Sequence, residues 1–288
     1  MIYTSHSSRG TFKACKRKYH WGYIKGLQQT RKPKALRMGS AWSDGLEHGK
    51  QAINEYYEEI LRDKNTPVSW FKDLAHEMLV LEALYDTYPY AMGEQREVSF
   101  RHVGPNYEDR GQLDGVKLNE RPLAPVTIIE NKLYARFGNQ EREKLEFDEQ
   151  VTSYVAAMID GECEDIDIEG LGQHDVEVLY NVTLKPALRQ KVNESDKDLT
   201  QRCVADIFSR PDHYHHQVVL NRSDEELQDF RERRDKHVMD LMYEEKMNVW
   251  ERSPGNCFDY GQCPFLNICR SPQLDEVPDG YTKREDRT

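Results

Sequence analysis

Apolar residues recur at helical spacing over several long stretches of the 288-residue chain and at every second position in a few short ones. At the amino end, SHSSRGTFKACKRKYHWGYI offers Ser5 or Ser7 as a helix cap, with Phe12, Cys15, Tyr19 and Tyr23 following on one face, so a single short helix is predicted. Two amphipathic helices are expected at about residues 39–62 and 69–87, joined by DKNTPV. REVSFRHV and DRGQLDGVKL alternate in the strand manner, NERPLAP reads as a turn and PVTIIENKL as a third strand, which together make a small antiparallel meander. A helix from Glu143 to about Ala157, a strand at VEVLYNVTL, and helices at DLTQRCVADIF and SDEELQDFRERRDKHVMDLMYEEK follow. From Ser253 onward the chain is rich in Gly, Pro and Cys and ends in a polar tail, too little to form a core alone. With no internal repeat, low-complexity tract or linker, the simplest organisation is a single α/β domain over 1–288, made of a basic helix and arm (1–38), a central core (90–185), a cysteine-containing segment (253–272) and the tail (273–288).

Composition changes this picture little, since 38% hydrophobic content is that of a globular chain. No apolar run approaches the roughly 20 residues that span a bilayer, and MIYTSHSSRG lacks the apolar core of a signal peptide, so a soluble cytoplasmic protein without a membrane partner is expected. In that compartment six cysteines point to a metal rather than to a disulfide framework. Charge is more informative. The formal net charge is −11, yet residues 1–43 carry ten Lys or Arg and no acid, leaving 30 basic against 51 acidic residues in the remainder. Aromatics are interleaved with that basic run, a mixture suited to phosphates and unstacked bases, and Lys13, Lys16, Arg17, Lys18 and Tyr19 are its candidate DNA-binding residues.

The stretch VTIIENK sets Glu130 and Lys132 two apart, hence on one face of a strand, at the end of a β-branched run. A hairpin through NERPLAP would bring Asp114 of GQLDG alongside Glu130. Two close carboxylates repel unless a cation neutralises them, and oxygen ligands of this kind suit Mg²⁺ or Mn²⁺. A neighbouring lysine can orient an attacking water and balance charge in the transition state, so the chemistry indicated is metal-assisted phosphodiester hydrolysis. Glu-x-Lys alone is weak, as Glu244-x-Lys246 in a predicted surface helix illustrates. Context strengthens it, because Gln150 and Tyr154 follow at i and i+4 on one helical face.

This order of residues resembles the PD-(D/E)XK nuclease superfamily and, within it, the RecB-like and AddB-like branch with a trailing Gln-x-x-x-Tyr motif. The resemblance implies a restriction-endonuclease-like α/β core, a small mixed sheet flanked by helices with helical elaborations. It implies Asp114 and Glu130 as metal ligands with the Asn131 carbonyl beside them, Lys132 acting on the water, and Gln150 and Tyr154 either positioning the scissile strand or supporting the acidic residues. It also implies a Mg²⁺- or Mn²⁺-dependent DNA exonuclease serving recombination, repair or degradation, phage- or mobile-element-encoded and then acting in the host cytoplasm. The branch often carries a histidine after Gly-x-x-aromatic on an early helix; here MGSAW is followed by Ser43, and His48 lies five residues further on.

In iron–sulfur members of the branch one cysteine precedes the core and three follow it. Cys15, then Cys257, Cys263 and Cys269, stand in that order, which implies a 4Fe-4S cluster, with zinc as the alternative, although the usual Cys-x-x-Cys start is missing. Cys163 and Cys203 fall outside the pattern and read as packing residues. His213, His215 and His216 of HYHH read as exposed polar residues, and Lys185, Arg189 and Lys191 as phosphate contacts or solvated surface. Partners implied are DNA, single-stranded or with free ends, and a recombinase, helicase or integrase, since no Walker A motif is present. Two rivals stand beside the exonuclease: a catalytically weak DNA-binding scaffold and an end-trimming nuclease of CRISPR adaptation.

Overall fold

After β1 (Ile2–Thr4), Ser5 and Ser8 exchange hydrogen bonds, each hydroxyl accepting from the other's backbone N–H at 3.2 and 2.9 Å, and this reciprocal cap starts α1 (His6–Ala14). The computed structural model describes the chain except residues 31–33, 65, 94, 120–124, 165, 167–169, 260, 271–276 and 285–288. Most of the expected NERPLAP turn, Asn65 of DKNTPV, Arg31 and Lys32 of the basic run, and much of the tail lie outside the described residues.

Three predicted helices are each divided. The amino-terminal one breaks at Cys15, which is extended, and resumes as α2 (Lys16–Tyr19) and a π-helical turn at His20–Ile24, before β2 (Leu27–Gln29). The next is α3 (Lys34–His48) and α4 (Lys50–Arg62), separated by Gly49 at φ +98°, a conformation that a side chain would resist. After α5 (Phe71–Asp86) come the three expected strands, β3 (Gln95–Val103), β4 (Tyr107–Leu118) and β5 (Val126–Tyr134). The third helix is α6 (Asn139–Glu146) and α7 (Glu149–Asp160), because Asp148 begins a new one by accepting from the N–H groups of Gln150 and Val151 at 2.7 and 3.3 Å. The chain continues through β6 (Glu162–Cys163), β7 (Val176–Leu184), α8 (Asp196–Ser209), α9 (Pro211–Tyr214), β8 (His215–Leu220), α10 (Asp224–Met247), α11 (Leu266–Arg270) and β9 (Tyr281–Lys283). Among the described residues no helix is long and apolar enough to cross a membrane.

The chain forms two compact units, one of Met1–Pro33, Arg101–Gly111 and Gln228–Thr288, the other of Lys34–Phe100 and Gln112–Leu227. The second holds most of a mixed sheet in the order β6-β3-β4-β5-β7-β8, with β5 antiparallel to β4 and parallel to β7, and β8 antiparallel to β7. Being central, β5 is buried continuously from Val126 to Glu130, which is why its sequence is a β-branched run rather than an alternation. Helix α7 is buried from Val151 to Met158 and packs on β7, while α3 packs on β5. On α5, Glu77 is fully buried; Arg37 of α3 grips it through two hydrogen bonds of 2.7 and 2.9 Å, and the Tyr57 hydroxyl donates to it at 3.2 Å.

His215 departs from the expected exposed histidine. It is 5% exposed, with Thr87 and Thr183 hydroxyls 3.0 and 3.2 Å from its two ring nitrogens. Burial chiefly, with help from His216, holds its pKa down to about 4. Since an unfolded histidine titrates near ~6.5, the unfolded chain takes up the proton first as pH falls, so stability present above that value is lost on the way to pH 4. The loss expected from this group is roughly 3 kcal/mol at most. Urea unfolding at pH 7 and pH 4.5 should show His215→Gln losing less than wild type across that interval; parallel losses would refute the assignment.

The first unit buries Phe12, Tyr19, Leu241 and Trp250 in one cluster and Trp21, Leu27, Phe265 and Ile268 in another. There β1 pairs in parallel with β4 through Ile2↔Tyr107 and Thr4↔Asp109, and β2 pairs antiparallel with β9. Asp109 is buried and accepts from Arg9 Nη1 at 2.5 Å and Thr4 Oγ1 at 2.8 Å.

Candidate active site

The antiparallel register of β4 and β5, ending at Gly115↔Ile129, brings Asp114 beside the last polar residues of β5. Asp114 Oδ2 accepts from the Asn131 backbone N–H at 2.8 Å. Glu130 is fully buried; its Oε1 pairs with Lys132 Nζ, and its Oε2 has no hydrogen-bond partner among the described residues. The Lys132 side chain is 34% exposed along its length, while its ammonium is held against the buried carboxylate. The local sequence explains the closeness. A Cβ on Gly115 would stand 2.4 Å from the Met92 carbonyl oxygen, so only glycine lets the chain press against β4 next to Asp114.

Burial pushes the Glu130 carboxyl up to about 8; Lys132 opposes the rise, and Asp114 and Asp148 add to it. Asp114 is also raised by burial, against the pull of Lys132 and of its bonds from Asn131. For Lys132, burial favours the neutral amine, but Glu130 and Asp114 outweigh it and hold the ammonium raised. Two carboxyl groups held up in this way, one with an unpartnered oxygen, resist ionising together beside a single lysine, and when both ionise their charge exceeds what that lysine neutralises. A hard divalent cation fits that donor set.

Gln150 and Tyr154 meet on α7, the Gln150 amide donating to the Tyr154 hydroxyl at 2.5 Å. Burial raises the Tyr154 phenol, Glu130 raises it further and Lys132 opposes, which places the pair in the field of the carboxylate and ammonium. Asn131 turns its side chain elsewhere: its Oδ1 accepts from the Tyr88 hydroxyl at 2.5 Å and from Asn181 Nδ2 at 3.1 Å.

Three contributors escape the sequence pattern. Asp148 caps α7 and adds charge near Glu130. Arg222, 4% exposed, donates to Thr152 Oγ1 at 2.8 Å and to the carbonyls of Leu145 and Asp148 at 2.9 and 3.3 Å, bracing the α6–α7 junction that sets Gln150. Glu97 on β3, at φ +51°, has its carboxyl raised to about 7 by burial and by Glu47 and Asp114. Only the capping position of Asp148 left a local signal.

The chain matches the family model of the PD-(D/E)XK nuclease superfamily over residues 3–270. The chain belongs to the PD-(D/E)XK nuclease superfamily. No curated protein matches it. Among solved structures it is similar to a protein of Eubacterium rectale to which an exonuclease activity is ascribed, at 13% identity and a TM-score of 0.54, covering 96% of this chain and 90% of that one. At that identity the likeness speaks for the fold alone, and the central mixed sheet flanked by helices is that of a PD-(D/E)XK nuclease.

Within this nuclease the second unit gathers Asp114, Glu130, Asn131, Lys132, Gln150 and Tyr154. Ser43 is exposed on α3, and His48, 63% exposed, lies 3.4 Å from Glu47 and near Glu97. The basic arm belongs to the first unit: Lys13 is exposed, Lys16 pairs with Glu244 at 2.5 Å, and Arg17 Nε donates to the Trp250 carbonyl at 2.8 Å, while Lys18 is half-buried. Tyr19 corrects the expectation of a base-stacking ring, for it is 3% exposed and stacked between Tyr23 and Trp250. Glu244 is buried behind its lysine, unlike the surface pair expected.

The iron–sulfur site is not supported. Cys15, Cys257, Cys263 and Cys269 are free thiols in the first unit, and no group of three His, Cys, Asp or Glu side chains among the described residues could hold a metal. Cys263 and Cys269 are near enough to feel other cysteines, but two of the sulfurs face separate partners: Cys15 the Glu251 carbonyl and Cys257 the Ser253 carbonyl, each at 4.0 Å. Zinc in the same four cysteines meets the same objection. Cys203 is buried and acts as a packing residue, as expected.

Proposed function

We propose that the protein is a metal-dependent deoxyribonuclease of the RecB-like branch that hydrolyses phosphodiester bonds from DNA ends. The observation that carries this is the fully buried Glu130 with an unpartnered Oε2, set beside Asp114 and Lys132. Asp114, Glu130 and the Asn131 carbonyl would hold Mg²⁺ or Mn²⁺, which when bound supplies a more acidic water and charge neutralisation at the phosphate. Lys132 holds a positive charge where the attacking water and the pentavalent phosphate would stand, and it takes part in orienting that water. The Gln150–Tyr154 pair presents an amide and a phenol from one helical face to orient the scissile strand.

The family match runs through both units, which supports 1–288 acting as one nuclease domain. Substrates with free ends or single strands, service in recombination, repair or degradation, work with a recombinase, helicase or integrase, and phage origin with a cytoplasmic setting complete the proposal. Ser43 in place of the branch's histidine favours a second reading, a weakly active DNA-binding protein that keeps the fold. One experiment decides. The protein is incubated with end-labelled linear DNA and with circular DNA in Mg²⁺, in Mn²⁺ and with a chelator. Linear DNA should shorten in a metal and stay intact with the chelator, and circular DNA should persist. Binding without cleavage in either metal would replace the nuclease with the binding protein.

A further inference from the structure

Strands β5 and β7 lie side by side in parallel, and beyond their carboxyl ends the backbone N–H of Lys185 donates to the Tyr134 carbonyl at 2.8 Å. Just past that closure is a groove of about 630 Å³, lined by residues 135–141, by Leu184, Lys185, Ala187 and Leu188, and by Arg210, His213 and Tyr214. It lies within the second unit, and its first wall begins three residues after Lys132. Grooves outside the carboxyl ends of parallel strands are where α/β sheets take ligands, and the volume falls in the range of small-ligand sites.

The lining is cationic in an acidic chain. Arg136, Lys185 and Arg210 line it with one carboxylate, Glu141, and the imidazole of His213, whereas the whole protein carries −11 with its histidines neutral. Arg136 is 83% exposed and its pair with Glu141, at 3.2 Å, is of the weak surface kind that a phosphate can replace. Arg210 is more firmly engaged, through two bonds of 2.8 and 2.7 Å to Asp206. Phe137 supplies an aromatic ring that is only half-buried, steadied by Tyr134 and His216 with centroids 5.8 Å away and by the Arg142 guanidinium at 4.8 Å.

We propose that this groove holds the single-stranded polynucleotide next to the bond being cut, with backbone phosphates against Arg136 and Lys185 and a base against Phe137. The assignment rests on the nuclease reading above and gives it a substrate subsite outside the catalytic residues. It also gives a role to the short 135–138 connection that leads from β5 into α6.

The test measures binding of a short fluorescein-labelled oligothymidylate by anisotropy, in chelator and over a salt series, together with cleavage kinetics in Mg²⁺. For the Arg136→Ala, Lys185→Ala double variant, affinity should fall at least about tenfold, and the slope of log K against log salt should flatten by about 1.4, the value for two phosphate contacts on a single strand. Phe137→Ala should weaken binding about tenfold with the slope unchanged. Both should raise KM more than they lower kcat, and Arg136→Lys with Lys185→Arg should retain the slope. Circular dichroism should show all variants folded, since the mutated side chains are not fully buried. Variants that bind within about twofold of a wild type that cleaves, with an unchanged slope, would overturn the subsite alone. A wild type that neither binds nor cleaves would overturn the nuclease reading and the subsite with it.

Discussion

A Lys132→Ala protein is expected to cleave DNA at least about a thousandfold more slowly than wild type while binding it with similar affinity. The magnitude follows from what the ammonium does. It is paired with the buried Glu130, and positioned charges in a partly desolvated site contribute far more to a transition state than to a ground state. The substitution leaves DNA contacts elsewhere untouched, so the loss should fall on kcat. Lys132→Arg should recover little, because a planar guanidinium cannot occupy the place of a compact ammonium. Single-turnover cleavage beside anisotropy measurements separates the two effects. A Lys132→Ala enzyme retaining a tenth of wild-type kcat would end the role assigned to this residue.

The second large effect is on stability. Arg37→Met should destabilise the protein by about 3–5 kcal/mol, the usual consequence of removing one member of a buried ion pair. Glu77 has no exposure, and the substitution removes both guanidinium hydrogen bonds to it while keeping that of Tyr57. The expected rescue is specific: adding Glu77→Leu to Arg37→Met should restore at least half of the loss, because the pair is traded for apolar packing of similar volume. Denaturant unfolding of both single variants and the double variant gives the coupling energy directly. Single variants costing less than about 1 kcal/mol would show that the pair does not carry this stability.

Legibility from the sequence followed the range of each interaction. Glu130 and Lys132 share a face because of strand geometry, Gln150 and Tyr154 because of helix geometry, and Asp114 needs only a hairpin, so all five stood in local patterns. The divided helices were hidden because apolar rhythm runs through Cys15 and Gly49 while the backbone does not; a glycine at φ +98° leaves no trace in hydrophobicity. Arg37 with Glu77 and Arg222 with Thr152 are pairs distant along the chain, and nothing near either partner announces the other. The cysteines show the reverse hazard. Their order along the chain matched a known arrangement, whereas the direction of each thiol is a tertiary property that order cannot encode.

The way the chain is shared between units has a consequence for the time course of synthesis. Residues 34–227, save for the 101–111 excursion, form the second unit and can collapse as they leave the ribosome. Phe12 and Tyr19 are made near the start, yet their cluster partners Leu241 and Trp250 emerge more than two hundred residues later. Until then an aromatic, strongly basic segment waits without the partners that bury its rings in the finished fold. Closure of so long a loop makes the first unit the slow step of maturation, and the unit that holds the candidate site stands ready before the unit that carries the basic arm is finished.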